Sequence, residues 1–130
     1  MDQTHEFVET VTNGRDISHG YDHMLSVANL AQQYAVSIGL NDEMIELAYI
    51  CGMLHDVADH KYDKEGKLHK VLDEFVHDYF PDHKNDIMLV IDTISYSKER
   101  DMGLGYYEEL YKHHPELLLV RHCVSDADKM

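Results

Sequence analysis

The chain has 130 residues, 25 acidic against 11 basic, a formal charge of −14, two cysteines and no tryptophan. That length supports one domain, over residues 1–130, built on a single core. The acidic surplus argues against nucleic acid as the main partner, because phosphate binding draws on lysine and arginine. The lack of any apolar run of about 18 residues excludes a membrane-spanning helix.

Helix signals dominate in chain order. Residues His5 to Val11 form a short helical stretch stopped by Asn13-Gly14. Tyr21 to Ile38 is amphipathic through Leu25, Ala28, Leu30, Ala31, Ala35 and Ile38, and Gly39 suits its C-terminal cap. Asn41 is placed to N-cap the next helix, with Asp42 and Glu43 complementing its dipole. That helix runs to Val57 and is apolar on nearly every side, which makes it central. Lys67 to Phe80 carries Leu68, Val71, Leu72, Phe75, Val76 and Tyr79, and ends before Pro81. Asp86 to Ser95 presents Ile87, Val90, Ile91 and Ile94, followed by a loop from Ser97 to Gly105 and a short helix from Tyr106 to Lys112. Pro115 suits the first turn of a last helix that runs to Met130. No alternating strand pattern or internal repeat is present, so the expected fold is all-α. Asp2, His5 and Glu6 near the start do not fit a secretory leader. The expectation is therefore a cytoplasmic protein with Cys51 and Cys123 reduced and buried.

The adjacent pair His55-Asp56 closes the apolar run Ile45 to Leu54. Burying an imidazole and a carboxylate together is costly without a partner, and a divalent metal is a common solution. His23 lies upstream on the apolar side of its own helix, one turn before Val27, and Asp126-Ala127-Asp128 lies downstream. Two histidines and two aspartates, with no thiolate, suit Mn²⁺, Fe²⁺, Co²⁺, Ni²⁺ or Zn²⁺ and leave positions for water and substrate. Neither cysteine has zinc-finger spacing. Two positions apart on a helix is about 200°, so only one of Asp126 and Asp128 faces the metal. His69, His77, His83, His113 and His114 show no convergent pattern and read as surface residues.

These residues carry a family resemblance. Ser18-His19-Gly20-Tyr21-Asp22-His23 with Val27-Ala28, then Leu54-His55-Asp56-Val57-Ala58-Asp59, then Val124-Ser125-Asp126-Ala127-Asp128-Lys129-Met130, resembles the HD-domain superfamily of metal-dependent phosphohydrolases. The small nucleotide-hydrolysing subgroup is the nearest in look, and Ile94-Ser95-Tyr96-Ser97 resembles a stretch found there. The resemblance implies an all-α HD helical bundle. Family members usually continue with further helices, so the chain reads as a bundle truncated at its C-terminal side. It also implies metal ligands His23, His55, Asp56 and Asp128, with Asp128 favoured over Asp126 as the match to the family aspartate. Mn²⁺ is the preferred ion, with Mg, Fe, Co, Ni and Zn as alternatives.

Among catalytic residues the resemblance implies Asp59, which would orient or deprotonate the attacking water, and Lys61, which would hold a phosphate oxygen. His19 is a candidate contact to phosphate or to a neighbouring carboxylate, whereas Lys98 and Arg100 read as solvated loop charges. Ser26 stands where many relatives carry arginine and His60 where they carry tryptophan, which weakens any subgroup-specific substrate assignment. The implied function is metal-activated hydrolysis of a nucleotide or related small phosphate ester, with no covalent nucleophile. Cleavage of a triphosphate to monophosphate and pyrophosphate is favoured over monophosphate hydrolysis. The alternatives are a non-catalytic HD module that binds metal or nucleotide for regulation, and a metal-free helical interaction protein whose acidic surface meets a basic partner.

Overall fold

The computed structural model describes residues 2–15, 20–58, 65–99 and 109–129. Among them are six α-helices and no strand: α1 (Asp2–Thr12), α2 (Tyr21–Ser37), α3 (Asp42–Leu54), α4 (Lys67–Tyr79), α5 (Lys84–Glu99) and α6 (Pro115–Asp128). One 3₁₀ turn, Pro81–His83, links α4 to α5. The expected all-α fold is the observed one.

Helices α2, α3 and α6 form the centre, each packed on the other two, with α5 against α6 and α3, and α1 against α3 and α2. The near-continuous apolar run of α3 explains its central place. Leu47, Ala48, Ile50, Cys51, Gly52, Met53 and Leu54 are all buried. Gly52 permits a close approach of α2 and α3. A Cβ placed there would lie 2.6 Å from the Ala28 Cα and 3.0 Å from its backbone nitrogen. Helices α2 and α3 can meet at this distance only with glycine on one side.

The caps follow the sequence signals. Gly39, at φ +80°, closes α2 with Leu40 N–H on Ala35 O and Gly39 N–H on Val36 O, both at 3.1 Å. The Asn41 side chain accepts from Met44 N–H at 2.9 Å, and Pro115 occupies the first turn of α6. Ile87, Val90, Ile91 and Ile94 of α5 are buried as expected, and both cysteines are buried and free.

Four expectations need correction. Ile38 is exposed, because the α2 cap carries it past the last helical turn and away from the core. Val71 and Tyr79 on α4 are also exposed, while Leu72, Phe75 and Val76 make its buried face. Helix α5 extends through Glu99, so the loop does not begin at Ser97; the stretch Ser95 to Glu99 contains neither glycine nor proline to stop it. Helix α3 ends at Leu54 and residues 55–58 form a turn, for reasons that belong to the site. No helix among the described residues is long and apolar enough to cross a membrane.

Candidate metal centre

His23 is set by the first turn of α2, His55 and Asp56 by the turn that ends α3, and Asp128 by the last turn of α6. These three segments meet because the helices bearing them bury their apolar faces on one another. His23, His55, Asp56 and Asp128 each offer a ligand atom, and those atoms lie within 4.8 Å of one another. Asp128 Oδ1 is the hub, 3.1 Å from His23 Nε2 and 3.2 Å from His55 Nε2. Asp56 Oδ2 lies 3.7 Å from the same His55 nitrogen. The His23 and His55 rings are tilted by 58° with centroids 5.8 Å apart. Asp126, two residues before the hub, is exposed.

The site has a buried floor and an open rim. The His55 and Asp56 side chains are 0% and 5% exposed, whereas those of His23 and Asp128 are 24% and 16% exposed. Water and ligands therefore reach the group from the side of α2 and α6.

The tautomer of His55 is fixed by its neighbour. Its Nδ1 lies 2.7 Å from Gly52 O, and a carbonyl only accepts, so Nδ1 carries the proton. In the neutral ring, Nε2 then presents a lone pair to the carboxylate of Asp128. Lone pair against lone pair is repulsive until a cation sits between them. Metal-ligating histidines commonly give their other N–H to a backbone carbonyl in this way. The donor set of two imidazoles and two carboxylates, with its four ligand atoms within 4.8 Å of one another, fits a divalent ion.

The contact to Gly52 O also explains where α3 stops. Helices leave their last carbonyls unpartnered. Here the His55 ring takes Gly52 O, Val57 N–H takes Leu54 O at 3.2 Å, and the Arg15 guanidinium takes Asp56 O at 2.9 Å and Val57 O at 2.6 Å. Side chains thus replace the continuation of the helix. Sequence reasoning missed Arg15, since nothing local ties it to carbonyls more than 40 positions away. On α6, burial and then the adjacent Arg121 guanidinium push His122 below the ordinary imidazole range, so at neutral pH it adds no charge to that helix.

Asp59, Lys61, His60 and His19 lie outside the described residues, as do Arg100 and the Lys98 side chain. His69, His77, His113 and His114 are exposed and His83 is half-buried, all apart from the group described above.

An all-α bundle that brings two histidines and two aspartates to one point defines a helical protein with a group able to hold a metal ion. Residues 20–130 match the HD domain family, and the chain belongs to it. HD domains bind divalent metals and are generally metal-dependent hydrolases. No curated protein and no solved structure matches the chain significantly.

Proposed function

We propose that this chain is a metal-dependent phosphohydrolase acting on a nucleotide or a related small phosphate ester, with Mn²⁺ as the preferred ion. One observation carries the reading: a buried histidine whose proton is committed to Gly52 O turns its bare nitrogen onto a carboxylate shared with a second histidine. A cation placed between that nitrogen and the carboxylate would remove their repulsion.

A divalent ion held by His23, His55, Asp56 and Asp128 would supply Lewis acidity toward a phosphoryl oxygen and a lowered pKa for water. The chain's own residues do the rest. His55 and Asp56 form the buried floor of the site, and the Gly52 contact holds the imidazole in one orientation. The partly exposed edge formed by His23 and Asp128 leaves the approach through which a phosphate ester reaches the group. By the family resemblance, Asp59 orients or deprotonates the attacking water and Lys61 holds a phosphate oxygen. The net charge of −14 works against a bare polyphosphate, so a substrate arriving with its own cation is favoured. Release of pyrophosphate from a nucleoside triphosphate is the preferred reaction.

The test is phosphate and pyrophosphate release from a panel of nucleoside mono-, di- and triphosphates. Chelator-treated protein is assayed with and without Mn²⁺, Mg²⁺, Co²⁺, Ni²⁺ or Zn²⁺. Metal-dependent release that Asp56→Ala abolishes supports the proposal. Asp59→Asn is expected to slow turnover while metal content stays at the wild-type level. Metal and nucleotide binding without turnover on any substrate would favour a regulatory HD module instead.

A further inference from the structure

Helix α1 lies ahead of the family-matched residues 20–130, yet Arg15, three residues past its end, reaches the turn that carries His55 and Asp56. We infer that α1 is a working part of the site and that Arg15 is its positioning residue, holding the turn that carries His55 and Asp56 so that both side chains face His23 and Asp128. The inference rests on the metal reading of that group.

The geometry is a fork on two successive carbonyls. One guanidinium nitrogen donates to Asp56 O at 2.9 Å and the other to Val57 O at 2.6 Å. These carbonyls follow the last helical residue of α3, where the backbone has no intrahelical donors left. A planar guanidinium meets two acceptors in one fixed arrangement, which a single hydrogen bond cannot do. It thereby fixes the peptide planes on both sides of Val57, and with them the direction in which Asp56 leaves the chain. Its charge also sits at the negative end of α3, against the backbone carbonyl of Asp56, and offsets some of the negative charge gathered there.

Arg15 is itself held. Its backbone N–H closes the end of α1 onto Thr12 O at 3.1 Å, and the buried Thr12 hydroxyl donates to Val8 O at 2.7 Å. Along the same helix the Phe7 ring stacks on Phe75 at 4.2 Å with 11° between planes, and His5 Nε2 shares a 2.8 Å hydrogen bond with the Tyr49 hydroxyl of α3. Helix α1 is therefore tied to α3 at the Tyr49 level and again beyond its C-terminal end, so the turn between them has little freedom to shift.

The test compares wild type, Arg15→Met and Arg15→Lys in the full chain, with Ile87→Val in the α5 core as a control that loses stability away from the site. Two readouts are used: amide exchange over residues 50–58 in the metal-free protein, and Mn²⁺ affinity by calorimetry. Arg15→Met is expected to speed exchange over that segment and to weaken Mn²⁺ binding about 10-fold or more, the size typical when a group that orients metal ligands is lost. Arg15→Lys should recover part of the affinity, and Ile87→Val should lower the melting temperature while Mn²⁺ affinity stays at the wild-type value. Wild-type exchange and wild-type affinity in Arg15→Met would overturn the inference. Should Arg15→Met fail to fold, Arg15→Lys decides: affinity equal to wild type overturns the inference, and affinity several-fold weaker supports it. A wild-type chain that takes no Mn²⁺ would overturn the metal reading and the claim on affinity. The exchange data would then still decide whether Arg15 holds the turn.

Discussion

Replacing Gly52 with alanine puts one methyl group where two helices already touch. Its Cβ would meet the Ala28 Cα at 2.6 Å, the Ala28 nitrogen at 3.0 Å and the Ala28 Cβ at 3.3 Å. Carbon atoms rest at about 3.5–4.0 Å, so α2 and α3 must part by roughly 1 Å locally or store the strain. Overpacking of this kind costs about 1–3 kcal/mol, and two of the three obstructing atoms are backbone, which places the cost at the upper end. Alanine recovers about 1 kcal/mol of helix propensity over glycine. The net loss is about 2 kcal/mol, which for a chain of this size lowers the melting temperature by roughly 7 °C.

The displacement also reaches the site. His55 lies three residues after Gly52 and His23 five residues before Ala28, so parting the helices stretches the 5.8 Å ring separation and weakens Mn²⁺ binding. Thermal melts and Mn²⁺ titration of Gly52→Ala, Ala28→Gly and the double variant check this. The double variant is expected to stay destabilised, since Ala28→Gly removes only the 3.3 Å contact and leaves the backbone in place. A Gly52→Ala protein as stable as wild type, or more so, would refute the close-approach argument.

Four further outcomes are expected. Asp128→Ala should abolish Mn²⁺ binding and Asp126→Ala should leave it intact, because Asp128 touches both histidines while Asp126 is exposed; calorimetry of the two variants decides. Mn²⁺ at 100 times its Kd should stabilise the fold by about 2.7 kcal/mol, and the gain should fade on acidification as protons compete for the imidazole nitrogens; melts from pH 8 to pH 5 check it. The thiols should alkylate slowly in the folded chain and rapidly in urea. Burial and then Asp126 push Cys123 up to about 11, leaving a thiolate fraction on the order of one in a thousand at pH 8, and burial raises Cys51 further, leaving less still. Because the native chain keeps these protons longer than the unfolded one, stability is also expected to fall as pH rises above the ordinary thiol value of 9.0.

Local signals were the legible part of the fold. Gly39, Asn41 and Pro115 mark helix ends through chemistry within three or four residues, and each stands where its cap requires. The apolar spacing of α5 was read correctly for the same reason, since periodicity needs no knowledge of partners. The group of His23, His55, Asp56 and Asp128 could be assembled from the order of its motifs along the chain, which the family resemblance supplied.

What the sequence hid depends on contacts between distant segments. Arg15 follows an ordinary helix stop, and its carbonyl partners have no side-chain signature. Helix α3 is expected to reach Val57 because Val57 is apolar, yet the His55 ring takes Gly52 O, a carbonyl that a longer helix would use, and Val57 N–H turns to Leu54 O. Gly52 looked like one more small residue in an apolar run, and only the neighbouring α2 backbone gives it a purpose. Ile38 and Tyr79 fit the helical period but sit at helix ends, where the core has already fallen away.

The most direct measurement is calorimetric titration of Mn²⁺ into the chelator-treated protein, beside His55→Ala and Asp56→Ala, with metal content per chain counted after dialysis. One ion bound per wild-type chain, and none by either variant while both remain helical, is the expected result. A wild-type chain that binds no ion, or variants that bind as wild type does, would contradict a metal centre built on His23, His55, Asp56 and Asp128.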